Sequence, residues 1–168
     1  MLSEKDLWVG KAITSARVAY ECWIGLLKEE ITVESKFPAD LPGGPYANVF
    51  ADYSKKEFLR TVSILHRGFF KEGRKTSVAS RMLEAVAEEK IDEFLRLAEP
   101  FRGFRNKEEH RENPQHPSVW TIQINEPRPK IGTAFGNRID PFPVYEILKS
   151  LEPEIGYVAF LKILPAGK

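Results

Sequence analysis

The sequence predicts a mainly helical protein, an antiparallel bundle, and three observations predict it. Apolar residues recur at helical spacing through most of the first hundred positions. Most of the twelve prolines fall in two stretches, residues 38–45 and 114–143, and leave the rest free for helix. One segment, Val119-Trp-Thr-Ile-Gln-Ile-Asn125, alternates with the period of a strand.

Residues 3–31 read as one long amphipathic helix. Leu7, Trp8, Ala12, Ala16, Ala19, Trp23, Leu26 and Leu27 form a wide stripe, and Ser3 is a fair N-cap. A stripe carrying tryptophans reads first as core or subunit interface and second as a ligand surface. Phe37-Pro-Ala-Asp-Leu-Pro-Gly-Gly-Pro45 predicts an irregular connection across residues 32–53, long enough for a lid or partner contact. Gly43-Gly44 lacks the lysine and hydroxyl of a phosphate loop.

A second helix is predicted from Ser54, with Glu57 at the capping-box position and Phe58, Val62, Leu65 and Phe69 on its buried face. Arg67, Lys71, Arg74 and Lys75 cluster near its end, around Gly68 and Gly73. That patch suits a phosphate or a solvated helix terminus. A third helix starts near Thr76-Ser77 and runs to about residue 98, with a break expected near Glu88-Glu89-Lys90. Pro100 disfavours helix just before it, and another helical segment starts near Phe101 or after Gly103.

The tail differs in texture. Pro127 and Pro129 end the first strand, residues 131–143 read as a loop, and Pro143–Leu151 reads as a short helix with Val144, Ile147, Leu148 and Leu151 on one side. Tyr157–Leu164 is a second strand candidate, with a buried helical turn as the alternative. The organisation expected is a helical bundle domain, residues 1–113. A C-terminal extension, residues 114–168, packs on it and adds a short β-hairpin or strand pair.

Composition narrows the function classes. The chain has 168 residues, 42% hydrophobic and 29% charged, which suits one soluble domain with its own core. Its net charge is +1, so any nucleic-acid contact must come from local patches. The lone Cys22 forms no internal disulfide and fits a reducing cytoplasm. The N-terminus lacks the leader of a signal peptide, and no apolar run approaches the roughly 20 residues of a membrane span. Neither a membrane partner nor a cofactor is expected. His66, His110, His116 and Cys22 match no zinc-site spacing, so no metal is expected either.

Chemistry concentrates in Phe101-Arg-Gly-Phe-Arg-Asn-Lys-Glu-Glu-His-Arg111. RNA can be cut without metal when its 2′-hydroxyl attacks the adjacent phosphorus. That needs a base, a cation for the developing charge and an acid for the leaving oxygen. A histidine side chain can act as base or acid near neutral pH, and His110 is the candidate for that role. Arg105 matches phosphate geometry. Asn106 orients either, while Arg102, Lys107 and Arg111, with Arg74 and Lys75, attract RNA.

An arginine followed after four to six residues by histidine occurs three times: Arg60…His66, Arg105…His110 and Arg111…His116. Only the middle one has Asn directly after Arg and follows a helical hairpin pattern. There the chain resembles the HEPN superfamily, helical ribonucleases of toxin–antitoxin, abortive-infection and CRISPR-linked defence systems. Arg105-Asn106-Lys-Glu-Glu-His110 fits the superfamily signature, and Ser77-Val-Ala-Ser-Arg-Met-Leu83 fits the helix start that precedes it. The resemblance covers residues 3–112. It implies a homodimer whose two signatures face one another in a shared cleft, with Arg105 and His110 catalytic and Asn106 supporting. It also implies RNA as substrate and an antitoxin or defence-system protein as possible partner. Some members carry a tyrosine two residues past the histidine; here that residue is Glu112, so modification at that position is not implied.

An ideal helix places residues five apart about 140° from each other. Arg105 and His110 therefore need a bend, a long reach or a second protomer to share a site. Two other readings stay open. In one, Arg105 and Arg111 pair with Glu99, Glu108 or Glu109 on a wet surface, and the chain is a non-catalytic interaction or RNA-binding module, an antitoxin or assembly subunit. In the other, Phe101, Phe104, Trp120 and Phe135 hold a small ligand. His66 is expected to be a half-buried, hydrogen-bonded histidine, and His116 a solvated one.

Overall fold

The computed structural model describes residues 4–28, 44–70, 88–103, 119–122, 128–133, 138–157 and 159. Helix α1 spans Glu4–Leu27. Its core face is the stripe of small and aromatic residues: Ala12, Ala16, Ala19, Trp23 and Leu26 are buried, together with Ile13 and Tyr20. Trp8 departs from expectation, standing 51% exposed. It lies about 60° around an ideal helix from Trp23, at the edge of the stripe.

Helix α2 spans Gly44–Ile64, ten residues earlier than the predicted start at Ser54. Pro45 does not forbid it, because the first turn of a helix makes no use of that N–H. Glu57 is accordingly a mid-helix residue that takes Arg60 and Thr61, not a capping-box partner. Phe58, Leu59, Val62 and Leu65 are wholly buried against α1. Lys55 is buried too and pairs with Asp52 at 2.9 Å. Two lysines, Lys55 and Lys56, outweigh the effect of burial and hold the Asp52 carboxyl below its ordinary range. The chain continues into a π-helical turn, Leu65–Phe70.

Helix α3 spans Glu88–Ala98. It buries Ile91, Phe94 and Ala98. Pro100 follows, and the backbone tightens into a 3₁₀ segment, Glu99–Gly103. The rest of the third predicted helix lies outside the described residues.

The tail contains more sheet than predicted. Strand β1, Val119–Ile122, pairs antiparallel with β2, Lys130–Thr133, and β2 pairs antiparallel with β3, Arg138–Ile139. Trp120 stands opposite Gly132, and Ile131 opposite Ile139. The stretch expected to be a loop thus supplies two strands, and Ile131 is fully buried. Glycine and proline punctuation hides so short a pattern. The Tyr157–Leu164 segment admits a strand or a buried helical turn. Of that segment Tyr157 and Ala159 are described, and both are helical. A short apolar run does not by itself separate strand from buried helix.

Helix α4 spans Phe142–Ile155 and buries Val144, Ile147, Leu148 and Leu151 as predicted, with Tyr145 and Ile155. The Asp140 carboxylate accepts the Phe142 N–H at 2.9 Å and an Arg128 N–H at 3.1 Å. The Arg128 guanidinium also lies 4.0 Å from the Phe142 ring centre, a cation–π contact. Helix α4 packs on α1 and α3, and its residues join the same core as those of α1 and α2. Lys90 pairs with Glu154 across α3 and α4, and Arg17 pairs with Glu152 across α1 and α4. Gly156 ends the helix: a Cβ there would meet the Glu152 backbone oxygen at 2.5 Å, so no larger residue fits. Its extended backbone turns the chain onto α1, where the Tyr157 N–H donates to Thr14 Oγ1. The fold is mainly helical with a small antiparallel sheet in its C-terminal part.

Two outcomes follow from this packing. Leu148→Ala removes a fully buried side chain and lowers stability by about 2–5 kcal/mol. Urea unfolding followed by circular dichroism checks this, and α1 and α4 should melt in one transition. The second concerns Tyr145, whose hydroxyl donates to Glu21 at 2.9 Å. Burial, then that hydrogen bond, pushes its ionisation up to about 12. The native state then holds the phenolic proton more tightly than the unfolded chain. Stability linked to it is full below about pH 10 and is lost as pH rises towards 12. Tyr145→Phe should flatten that alkaline decline in the melting temperature.

Candidate functional site

The predicted catalytic trio, Arg105, Asn106 and His110, lies outside the described residues, as do Lys107, Arg111, Arg74 and Lys75. What the structure describes is the element that leads to them. In the 3₁₀ segment Phe101 is 1% exposed and meets the edge of Phe58, ring centres 6.4 Å apart. Phe101 is thus a core anchor and not part of a ligand surface. Arg102, the next residue, is half-exposed and sits 3.5 Å from Glu99 Oε1, a pairing loose enough to yield to a phosphate. Three residues separate the buried Phe101 from Arg105 in the chain.

Glu99 also binds His66. The imidazole is 2% exposed, more deeply buried than expected, and its Nε2 lies 2.7 Å from Glu99 Oε2. This contact ties the π-helical turn to the 3₁₀ segment. Ser63, fully buried, lies one turn before it. Neither Ser63 Oγ nor His66 Nδ1 has a hydrogen-bond partner among the described residues. The Arg60…His66 spacing does not make a site. Arg60 is exposed and paired with Glu57, whereas His66 is sealed in the core and held by Glu99. Among the described residues no group of three or more His, Cys, Asp or Glu is placed to hold a metal ion.

A second feature was not anticipated. Trp8, Lys11, Ala12 and Ser15 of α1 face Glu57, Arg60, Thr61 and Ile64 of α2 across a groove of about 230 Å³. Both sets follow the i, i+3, i+4, i+7 spacing of one helix face. Glu57 accepts from Arg60 Nη1 at 3.4 Å and from Thr61 Oγ1 at 3.3 Å. Lys11 Nζ lies 5.6 Å from the Tyr157 ring centre. Spacing places the tryptophan stripe at a core or subunit interface first, and it does not separate the exposed edge, where Trp8 stands, from the buried centre.

Comparison of the chain with protein-family models, with curated proteins and with solved structures finds no match. Among the described residues no helix is long and apolar enough to cross a membrane.

The Glu99 contacts make a differential prediction. Glu99→Ala strips the buried His66 Nε2 of its partner and should cost about 1–3 kcal/mol. Arg102→Ala removes only a half-exposed pairing and should stay within about 0.5 kcal/mol of the parent. Chemical denaturation of the two variants checks the contrast.

Proposed function

We propose that this protein is a metal-independent endoribonuclease of the HEPN type, acting as a homodimer in a toxin or phage-defence role. The observation that carries the reading is the signature Arg105-Asn106-Lys-Glu-Glu-His110, set directly after a helical region and a core-anchored 3₁₀ turn. Arg105 would hold the scissile phosphate and stabilise the phosphorane charge. His110 would take the 2′-hydroxyl proton or return one to the leaving oxygen, with Asn106 orienting either group. A partner protomer would supply the complementary acid or base, because five residues of helix turn the two side chains apart.

A non-catalytic interaction or RNA-binding module, an antitoxin or assembly subunit, is the second reading. What favours it is the apolar face of α2, where Val49, Phe50 and Tyr53 are 62%, 49% and 72% exposed. Such a patch suits a protein partner.

Incubation of the purified protein with mixed RNAs in EDTA separates the two. The nuclease reading expects fragments ending in 2′,3′-cyclic phosphate. Arg105→Ala and His110→Ala should each lower the rate by about 10²–10⁴-fold while circular dichroism stays unchanged. Intact RNA after prolonged incubation of folded dimer would establish the interaction module instead.

A further inference from the structure

The contact between His66 and Glu99 reaches the surface through Arg102. The buried imidazole places Nε2 at 2.7 Å from Glu99 Oε2. The other oxygen of that carboxylate, Oε1, accepts from Arg102 Nη1 at 3.5 Å, beyond the usual range of such a bond. One carboxylate thus stands between a buried imidazole and a half-exposed guanidinium. An imidazole changes its charge between about pH 5 and 8. While it is neutral, Arg102 is the cation of the Glu99 carboxylate. Once protonated, His66 is the nearer cation, and Arg102 is held less. The charged ring carries a second N–H, at Nδ1, which has no partner among the described residues. Ser63 Oγ, buried one turn earlier and also without a partner there, is an acceptor for it after a small shift. The other charges on the elements packed around His66 are engaged elsewhere or exposed. On α2, Lys55 and Lys56 pair with Asp52, and Arg60 pairs with Glu57. On α3, Lys90 pairs with Glu154, while Asp92, Glu93 and Arg96 are exposed. Glu4 and Lys11 of α1 and Arg67 of the π-helical turn are exposed too.

We propose that Arg102 binds a backbone phosphate of RNA and that His66, acting through Glu99, sets how freely it does so. The proposal rests on the reading of the chain as a protein that acts on RNA. It adds to that reading a pH-sensitive contact apart from Arg105 and His110. Arg102 fits the ligand, because a guanidinium offers two parallel N–H donors to a phosphate. The acid that competes for it does so at 3.5 Å, in a pair whose side chains are 49% and 55% exposed. Such a pair is weak and exchangeable. His66 fits the control, because it sits on the far oxygen of Glu99 and acts on Arg102 without touching the ligand. Phosphate on Arg102 leaves Glu99 with His66 as its cation, which favours the proton on the imidazole. The two events are reciprocal: acid strengthens RNA binding, and RNA binding takes up a proton. As pH rises, His66 loses its charge and Arg102 returns to Glu99.

The test uses full-length protein carrying His110→Ala, which spares the RNA and removes the histidine of the signature. Binding of rhodamine-labelled single-stranded RNA is followed by anisotropy at constant salt, from about pH 8 down to about pH 5.5. Affinity should rise roughly two- to fivefold towards acid. Glu99→Gln, at an exposed residue, should bind at the alkaline end as tightly as the parent does in acid, with a flat profile. Arg102→Ala in that background should abolish the gain and reduce the salt slope by about one. His66→Gln keeps an N–H donor for Glu99 but does not titrate, and should stay at the weaker, alkaline value throughout. Ser63→Ala should move the midpoint to lower pH. Arg67→Ala removes a neighbouring cation outside the relay and should leave the shape of the profile unchanged. A profile equally steep in the parent, His66→Gln and Glu99→Gln would overturn the relay and leave the nuclease reading, which cleavage in EDTA tests, intact. Parental affinity in Arg102→Ala at every pH would overturn the phosphate contact. Relay-dependent RNA binding by a protein that cuts nothing in EDTA would uphold the proposal and remove the nuclease reading.

Discussion

Burial of Tyr20 is the constraint on which the arrangement of elements depends. Its ring stacks on Tyr145 of α4 at 4.4 Å, tilts against Phe58 of α2 at 5.3 Å and meets the edge of Trp23 within α1 at 5.7 Å. Phe58 passes the contact on to Phe101 of the 3₁₀ segment. One chain of rings thus joins two long helices, the C-terminal helix and the segment that precedes the cationic signature. Each aromatic pair contributes about 0.5–1.5 kcal/mol beyond the area it buries. Burial also raises the Tyr20 ionisation well above the ordinary phenol range, so the ring enters the core as the neutral form. The polar rim of the same seam carries Arg17, Glu21 and Glu152. Burial works against the Arg17 charge, but the two glutamates prevail and raise its ionisation further.

Much of this was legible in residue spacing. Ala12, Ala16, Ala19 and Trp23 named the buried face of α1, and Val144, Ile147, Leu148 and Leu151 that of α4, because burial on one helix face follows the 3.6-residue period. The errors have local causes. Pro45 looked like a barrier although the first helical turn accepts it. Strands β2 and β3, four and two residues long, are too short to show alternation. Tyr157 belongs to a run whose composition suits strand or helix, and only the turn at Gly156 decides.

The candidate site was legible to a lesser degree. Periodicity separates inside from outside, but it does not say which exposed side chains converge from two helices. Glu57 is a mid-helix residue where spacing suggested a cap, and Trp8 stands at the exposed edge of a stripe that spacing places at a core or subunit interface; their meeting across one groove depends on how α1 packs on α2. Three Arg-to-His spacings compete in the chain, and packing removes Arg60…His66 by sealing the histidine against Glu99. The core anchor at Phe101 gives the cationic segment after it a fixed point of departure.

The proposed nuclease function requires that two copies of the Arg105–His110 signature meet across a shared cleft. An intermolecular distance measurement tests it most directly, with a spin label at Glu112→Cys in a Cys22→Ser background, read by pulsed electron resonance. A shared cleft predicts a single narrow, short distance between protomers. A monomer, or a dimer with its labels too far apart to couple, would contradict it.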